Sequence, residues 1–251
     1  MDRDELVAFL DDYLACEECR DSAINGLQVE GRREIRRLAC GVSASLRLFQ
    51  EATSWKADGV LVHHGLLWQG PVQPVIGALG QRLRLLLQEG LNLLAYHLPL
   101  DRHPEVGNAA VFARELGLER LEPFGYFDGV AIGWAGVFPR PQSLEGLSQL
   151  AETVTGQKPL AFSGGGQPIF SVGIVTGSGA NAFAEAVETG LDALITGEPK
   201  EWLMHRAEEE GLHVLTCGHY ASERFGVQAL GEYLARVFGL EVQFFDLPNP
   251  A

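Results

Sequence analysis

A chain of 251 residues, 46% hydrophobic and 21% charged, has enough apolar material for a full core in one or two domains. Its formal net charge is −14, from 33 acidic and 19 basic residues. Phosphate-backbone binding rests on clustered Lys and Arg, and only Arg32-Arg33 with Arg36-Arg37 cluster here, so nucleic acid is not the expected partner.

The first twelve residues, Met1 to Asp12, are acidic and amphipathic, unlike a signal or transit peptide. No apolar stretch approaches the roughly 20 residues that a membrane span needs. The expectation is a cytoplasmic protein without a membrane anchor. Cys16 and Cys19 form a single C-x-x-C with no second Cys or His pair nearby, weak ground for zinc or redox chemistry. Cys40 and Cys217 lie in apolar runs and read as small buried residues.

Residues 40–62 read as a strand, a Gly/Ser turn, a helical stretch through Phe49, Glu51 and Ala52, and a second strand ending Asp58-Gly-Val-Leu-Val62. Residues 172–196 repeat that plan through Phe183, Glu185, Ala186 and Asp192, at a constant offset of 134 (183 − 49, 192 − 58). Each copy continues with a helix, Leu79 to Leu87 and Lys200 to Ala207. Each then has Glu-Gly-Leu leading into an apolar strand, Glu89 to Tyr96 and Glu210 to Cys217, with the Gly as a helix C-cap. A strand (Val130 to Phe138), a helix (Ser143 to Thr155) and a Gly164-Gly-Gly166 loop lie between the copies. The expected fold is α/β: two related lobes from an internal duplication, residues 1–127 and 128–251, intimately packed, with mostly parallel sheets.

Open α/β sheets place their chemistry at the carboxyl ends of strands. In the first lobe those ends carry His63-His64, in Val60-Leu-Val-His-His-Gly65, and Tyr96-His97-Leu-Pro-Leu-Asp101. In the second they carry Thr196-Gly-Glu198 and Gly218-His219-Tyr-Ala-Ser-Glu223. His63, His64, His97, Asp101, His219 and Glu223 are all metal-ligand types, and both His97/Asp101 and His219/Glu223 have i, i+4 spacing. Taken singly, each has a plainer reading: His219 as a turn residue, Asp101 and Glu223 as caps of helices at 105–116 and 224–238. Their joint placement points to a metal or catalytic site between the lobes. Glu198 reads either as a site acid or as the N-cap or first-turn acid of the helix after Pro199. Gly41-Val-Ser43 and Thr176-Gly-Ser-Gly179 lack the Gly-Lys-Ser/Thr of a phosphate loop and read as strand-to-helix turns. Trp55, Trp134 and Trp202 read as core or subunit contacts, and His103, His205 and His213 as surface or packing residues.

These motifs, with Asn25-Gly-Leu-Gln-Val-Glu-Gly31, resemble those of the Nif-three-like dinuclear metal-centre proteins, also called GTP cyclohydrolase type 2 homologues. The resemblance runs from about Asp21 to Glu223 in the family's motif order. It implies a two-lobed α/β fold, a toroidal homohexamer and two divalent ions per subunit, of Zn, Fe, Mn or Co. By motif the metal ligands are His63, His64, Asp101, His219 and Glu223, with His97 a near neighbour and Glu198 a nearby acid, these two the candidates for proton transfer. Leu98-Pro99-Leu100 departs from the polar stretch of many members, and the extra inserted domain of longer members is missing. Five side chains cannot fill two coordination shells without bridging carboxylates and water, which marks an open, catalytic type of site. Two divalent ions against two carboxylates leave that site positive, suited to a small anionic substrate carrying phosphate. The expected activity is hydrolysis by metal-activated water; a metal-delivery protein or a regulatory scaffold is the alternative.

Overall fold

A computed structural model of the chain describes residues 1–71 and 73–251. In chain order the elements are α1 (Arg3–Tyr13), β1 (Gly26–Val29), β2 (Arg37–Ser43), α2 (Leu46–Ser54), β3 (Gly59–His64), α3 (Gly77–Glu89), β4 (Asn92–Ala95), α4 (Leu98–Asp101), α5 (Asn108–Glu115), β5 (Glu119–Phe127) and β6 (Val130–Gln142). There follow α6 (Leu144–Thr155), β7 (Leu160–Phe162), β8 (Ile169–Val175), α7 (Phe183–Glu188), β9 (Ala193–Thr196), α8 (Leu203–Glu210), β10 (His213–Thr216), α9 (His219–Phe238) and β11 (Glu241–Phe244), with short 3-10 turns at Cys16–Glu18 and Gly179–Ala182. They form two compact units: Met1–Leu100 with Gly226–Leu247, and Asp101–Phe225 with Pro248–Ala251. Among the described residues no helix is long and apolar enough to cross a membrane.

The first unit holds a five-stranded sheet in the order β1-β4-β3-β2-β11. Strands β4, β3, β2 and β11 run parallel, and β1 joins antiparallel at the edge. Val60, Leu61 and Val62 of β3 are fully buried, so the strand is apolar on both faces, as a central parallel strand must be. Each such side chain contributes roughly 1.5–3 kcal/mol of burial free energy. Helix α2 starts at Ser45, whose side chain accepts the Leu48 N–H, and buries Leu48, Phe49 and Ala52. Helix α3 ends at Gly90 with φ +63, the left-handed conformation that closes a helix and releases the chain into β4.

The second unit holds a six-stranded sheet in the order β5-β6-β8-β9-β10-β7. Strands β8, β9 and β10 run parallel, and the flanking pairs are antiparallel. The two sheets share a plan. Strands β4-β3-β2 correspond to β10-β9-β8, and β1 and β7 are the antiparallel edges beside β4 and β10. The repeat reaches individual hydrogen bonds. Asp58 Oδ2 accepts the N–H groups of Arg36 and Arg37, and Asp192 Oδ2 accepts those of Phe170 and Ser171, again at an offset of 134 (170 − 36, 171 − 37). Gly31 N–H donates to Asn92 Oδ1, while Gly164 N–H donates to His213 Nδ1. His213 is thus a buried packing residue at the Asn92 position.

Two segments differ from the sequence expectation. Between the repeats the sequence suggests one strand, whereas β5 and β6 form a hairpin turning at Asp128-Gly129, both with positive φ (48° and 82°). Strand β5 carries Glu119, Arg120, Glu122, Pro123 and Gly125 and is mostly exposed, as suits an edge, so it shows no apolar alternation. The second difference concerns the division of the chain. The sequence suggests 127/128, whereas the first compact unit runs only to Leu100 and takes in Gly226–Leu247 as well. There β11 extends the sheet beside β2, Phe245 and Leu247 pack against the first core, and Gly231 of α9 lies where a Cβ would be 2.9 Å from Cys40 Sγ.

Candidate metal centre

In the first unit β3 and β4 end side by side, Val62 opposite Ala95, so His63, His64 and His97 emerge together. Their ring centroids lie 4.6 Å (His63–His64), 5.0 Å (His63–His97) and 5.6 Å (His64–His97) apart. One ring nitrogen from each falls within 4.8 Å of the others, close enough to share a cation. All three rings are anchored through Nδ1. His63 Nδ1 lies 3.0 Å from the Tyr96 carbonyl, which only a protonated Nδ1 can satisfy, leaving Nε2 as the electron-pair donor. His64 Nδ1 lies 3.1 Å from the hydroxyl of Ser43, its register partner on β2. His97 Nδ1 lies 2.8 Å from Asp21 Oδ1.

Asp21 is the central anchor of this half. It also accepts from the N–H groups of Leu98 and Ala23 and from Asn25 Nδ2, while Asn25 Oδ1 accepts the His97 N–H. Burial opposes its charge, yet these bonds, led by that from His97, hold its carboxyl well below the usual range. Gln28, from the same segment, accepts the N–H groups of Leu66 and Leu67 and so fixes the turn after His64.

In the second unit the parallel strands β8, β9 and β10 end at Thr176-Gly177, Thr196-Gly197-Glu198 and Cys217-Gly218. His219 opens α9, and Glu223 lies one turn on with Oε2 3.0 Å from His219 Nε2. The sequence alternative of Glu223 as a cap of a helix beginning at 224 is therefore corrected: both residues lie within the helix. His97, by contrast, precedes α4 by one residue, so its matching spacing to Asp101 is not a helical pair. Glu198 Oε1 accepts from His219 Nδ1 at 2.7 Å, and its Oε2 binds Ser178 Oγ and Lys200 Nζ. It does not cap the following helix, which starts at Leu203 behind Trp202. Glu198 also stands 134 residues after His64, at the equivalent strand end. Bonding to His219 and Ser178 lowers its carboxyl pKa; the hydrogen bond with Glu223, more than that with Glu198, raises the His219 imidazole to about 9 against the opposing effect of burial. An imidazolium held by two carboxylates marks a place where a cation can replace the proton.

Asp101, buried at the end of α4, accepts from Asn108 Nδ2 at 2.8 Å and faces Thr176 Oγ1 at 3.4 Å. It does not cap α5, which begins behind Gly107. The apolar Leu98-Pro-Leu stretch buries Leu100 completely. Asp21 and Asn108 had no sequence signal of their own; Ser43 and Gly177, read from the sequence only as parts of strand-to-helix turns, are equivalent positions (177 − 43 = 134) that the strand register brings to the site.

Trp55, Trp134 and Trp202 pack against the cores, as expected. Burial raises the Cys16, Cys40 and Cys217 thiols to about 12, away from the thiolate that ligates zinc. Glu198→Ala removes the carboxylate that orients His219 and is expected to weaken metal affinity about 10- to 100-fold, read by competition with a chromogenic chelator.

Duplicated parallel strands whose carboxyl ends present anchored histidines and buried carboxylates define an α/β protein of candidate metal-binding type. The chain belongs to the Duf34/NIF3 (NGG1p interacting factor 3) family, whose model matches residues 1–250. It is 45% identical over 247 residues to a GTP cyclohydrolase 1 type 2 homolog of Deinococcus radiodurans, covering 98% of this chain and 94% of that one. A homolog of the same name from Haemophilus influenzae is 42% identical over 248 residues, 98% of each. Among solved structures, TTHA1606 from Thermus thermophilus is similar at a TM-score of 0.90 and 42% identity, and protein ybgI at 0.95 and 38%, each covering the whole of both chains.

Proposed function

We propose that this protein is a dinuclear metal-dependent hydrolase acting on a small anionic substrate, a nucleotide or another phosphate-bearing molecule. In this reading His63, His64, Asp101, His219 and Glu223 hold two divalent ions, of Zn, Fe, Mn or Co, in each subunit of a cytoplasmic toroidal homohexamer. The observation that carries it is the anchoring of four histidines through Nδ1, to Tyr96 O, Ser43 Oγ, Asp21 and Glu198. Metal-binding imidazoles are held through one ring nitrogen in this way, which orients the ring and turns the other nitrogen towards the ion. Nitrogen and carboxylate donors without thiolate suit the borderline divalent ions. The name shared by the relatives, GTP cyclohydrolase 1 type 2 homolog, supports the reaction class.

Bound divalent ions would supply Lewis-acid polarisation and make water acidic enough to attack near neutral pH. The chain's own groups do the rest. Two buried carboxylates balance only part of the ions' charge, so the site attracts an anion. Glu198 keeps the proton of His219 on Nδ1 and is the proposed proton carrier on that side. His97, set by Asp21, is the proposed carrier beside His63 and His64.

Metal analysis of the purified protein, followed by a turnover screen of nucleotides and phosphoesters, tests the reading. His63→Ala is expected to lower metal content and turnover at least tenfold while leaving the oligomer intact. Full activity in that variant would end the dinuclear proposal, and bound metal with no turnover across the screen would favour metal delivery.

A further inference from the structure

Trp68 is the tryptophan that the cores do not absorb: it is 42% exposed. It stands beside the candidate site, its ring centroid 5.2 Å from His97 in an edge contact and 6.3 Å from His64. An exposed indole is ordinarily mobile, but this one is held on a pinned loop. Its Nε1–H donates to Gly65 O, and its backbone bridges Ala23. The Gln28 amide fixes Leu66 and Leu67 on one side, and Gln69 Nε2 donates to Asp21 O on the other. Gly65 leaves room for that amide, since a Cβ there would lie 2.4 Å from it. Ile24, also 42% exposed, is hydrogen-bonded through its N–H to Leu67 O and adds apolar surface on the neighbouring segment. A large aromatic surface kept in water and held in one orientation has its ordering cost already met before a ligand arrives.

We propose that Trp68 is a stacking wall for a flat heteroaromatic ring, so that the site takes a nucleobase-bearing phosphate rather than a simple phosphoester or sugar phosphate. The proposal rests on the metal-site reading above: the phosphate goes to the ions, the ring lies against the indole beside His64 and His97. Stacking on an aromatic side chain needs only a π-face, so the wall selects for a base without choosing which one.

The test compares guanosine 5′-monophosphate with ribose 5-phosphate on the full-length, zinc-loaded protein by titration calorimetry. The mononucleotide is expected to bind about five- to hundredfold tighter. Trp68→Ala is expected to weaken mononucleotide binding about five- to hundredfold, the range for loss of one base–aromatic stack. It should leave zinc content, oligomeric state and ribose 5-phosphate affinity unchanged, while Trp68→Phe retains most of the preference. Equal binding of the two probes by the wild-type protein would overturn the stacking wall alone and leave the metal-phosphate reading standing. A Trp68→Ala protein that changes oligomeric state but keeps its mononucleotide affinity would overturn it too, assigning the indole to a subunit contact. No binding of either probe would overturn both readings.

Discussion

Gly177→Ala is expected to cost the protein at least tenfold in metal affinity at the His219–Glu223 position while leaving the fold in place. Gly177 has φ +58, where an L side chain costs about 1–2 kcal/mol. A Cβ there would lie 2.1 Å from Glu223 Oε1 and 3.2 Å from His219 Nε2. The backbone cannot yield, because Gly177 O accepts the N–H groups of both Gly197 and Glu198. A Cβ on Gly197 would itself strike the Gly177 backbone, so the two segments touch there. The carboxylate must move instead, and a displaced Glu223 could not share with His219 the ion proposed for that position. Metal content by mass spectrometry together with a circular-dichroism melt checks this. Wild-type metal affinity in the variant would show that Glu223 is not a ligand.

Asp21→Ala is expected to lower stability by about 3–5 kcal/mol, because it strips one charged partner from four donors in a nearly closed pocket. For a chain of this length that is a fall in Tm of roughly 10 °C. His97 Nδ1, Leu98 N, Ala23 N and Asn25 Nδ2 all lose their acceptor. The effect carries a pH signature. The folded pKa of Asp21 lies below its unfolded value, so its contribution is fully present above about pH 4 and fades as pH falls towards the folded pKa. The wild-type protein is expected to lose stability on acidification more steeply than the variant. Parallel pH–stability curves would count against the assignment.

Much of the candidate site was legible in the chain because ligand chemistry is written in residue type and strand ends in apolar runs. His63, His64, His97 and His219 each stand where an apolar strand gives way to polar residues, Glu223 follows His219 by four residues, and the offset of 134 names Glu198 as the counterpart of His64. Their supports were not legible. Asp21 lies 76 residues before His97, and Ser43 meets His64 across 21, through strand pairing alone. No local pattern records such a partner, since a carboxylate or hydroxyl in a loop looks the same whether it faces water or an imidazole. Trp68 was equally silent, because exposure is not a property of sequence.

Apolar periodicity, helix caps at Gly90 and Gly211, and the repeated order of elements were enough to establish two related α/β units and the strand ends at which their chemistry would lie. These are local properties, set by burial and backbone preference within a few residues. Only the tertiary structure decided which side of each imidazole is tied down, that Glu223 is a helix residue rather than a cap, and that residues 226–247 return to the first sheet. Each of those depends on atoms distant in the chain meeting within hydrogen-bond or van der Waals range, and such meetings are settled by packing.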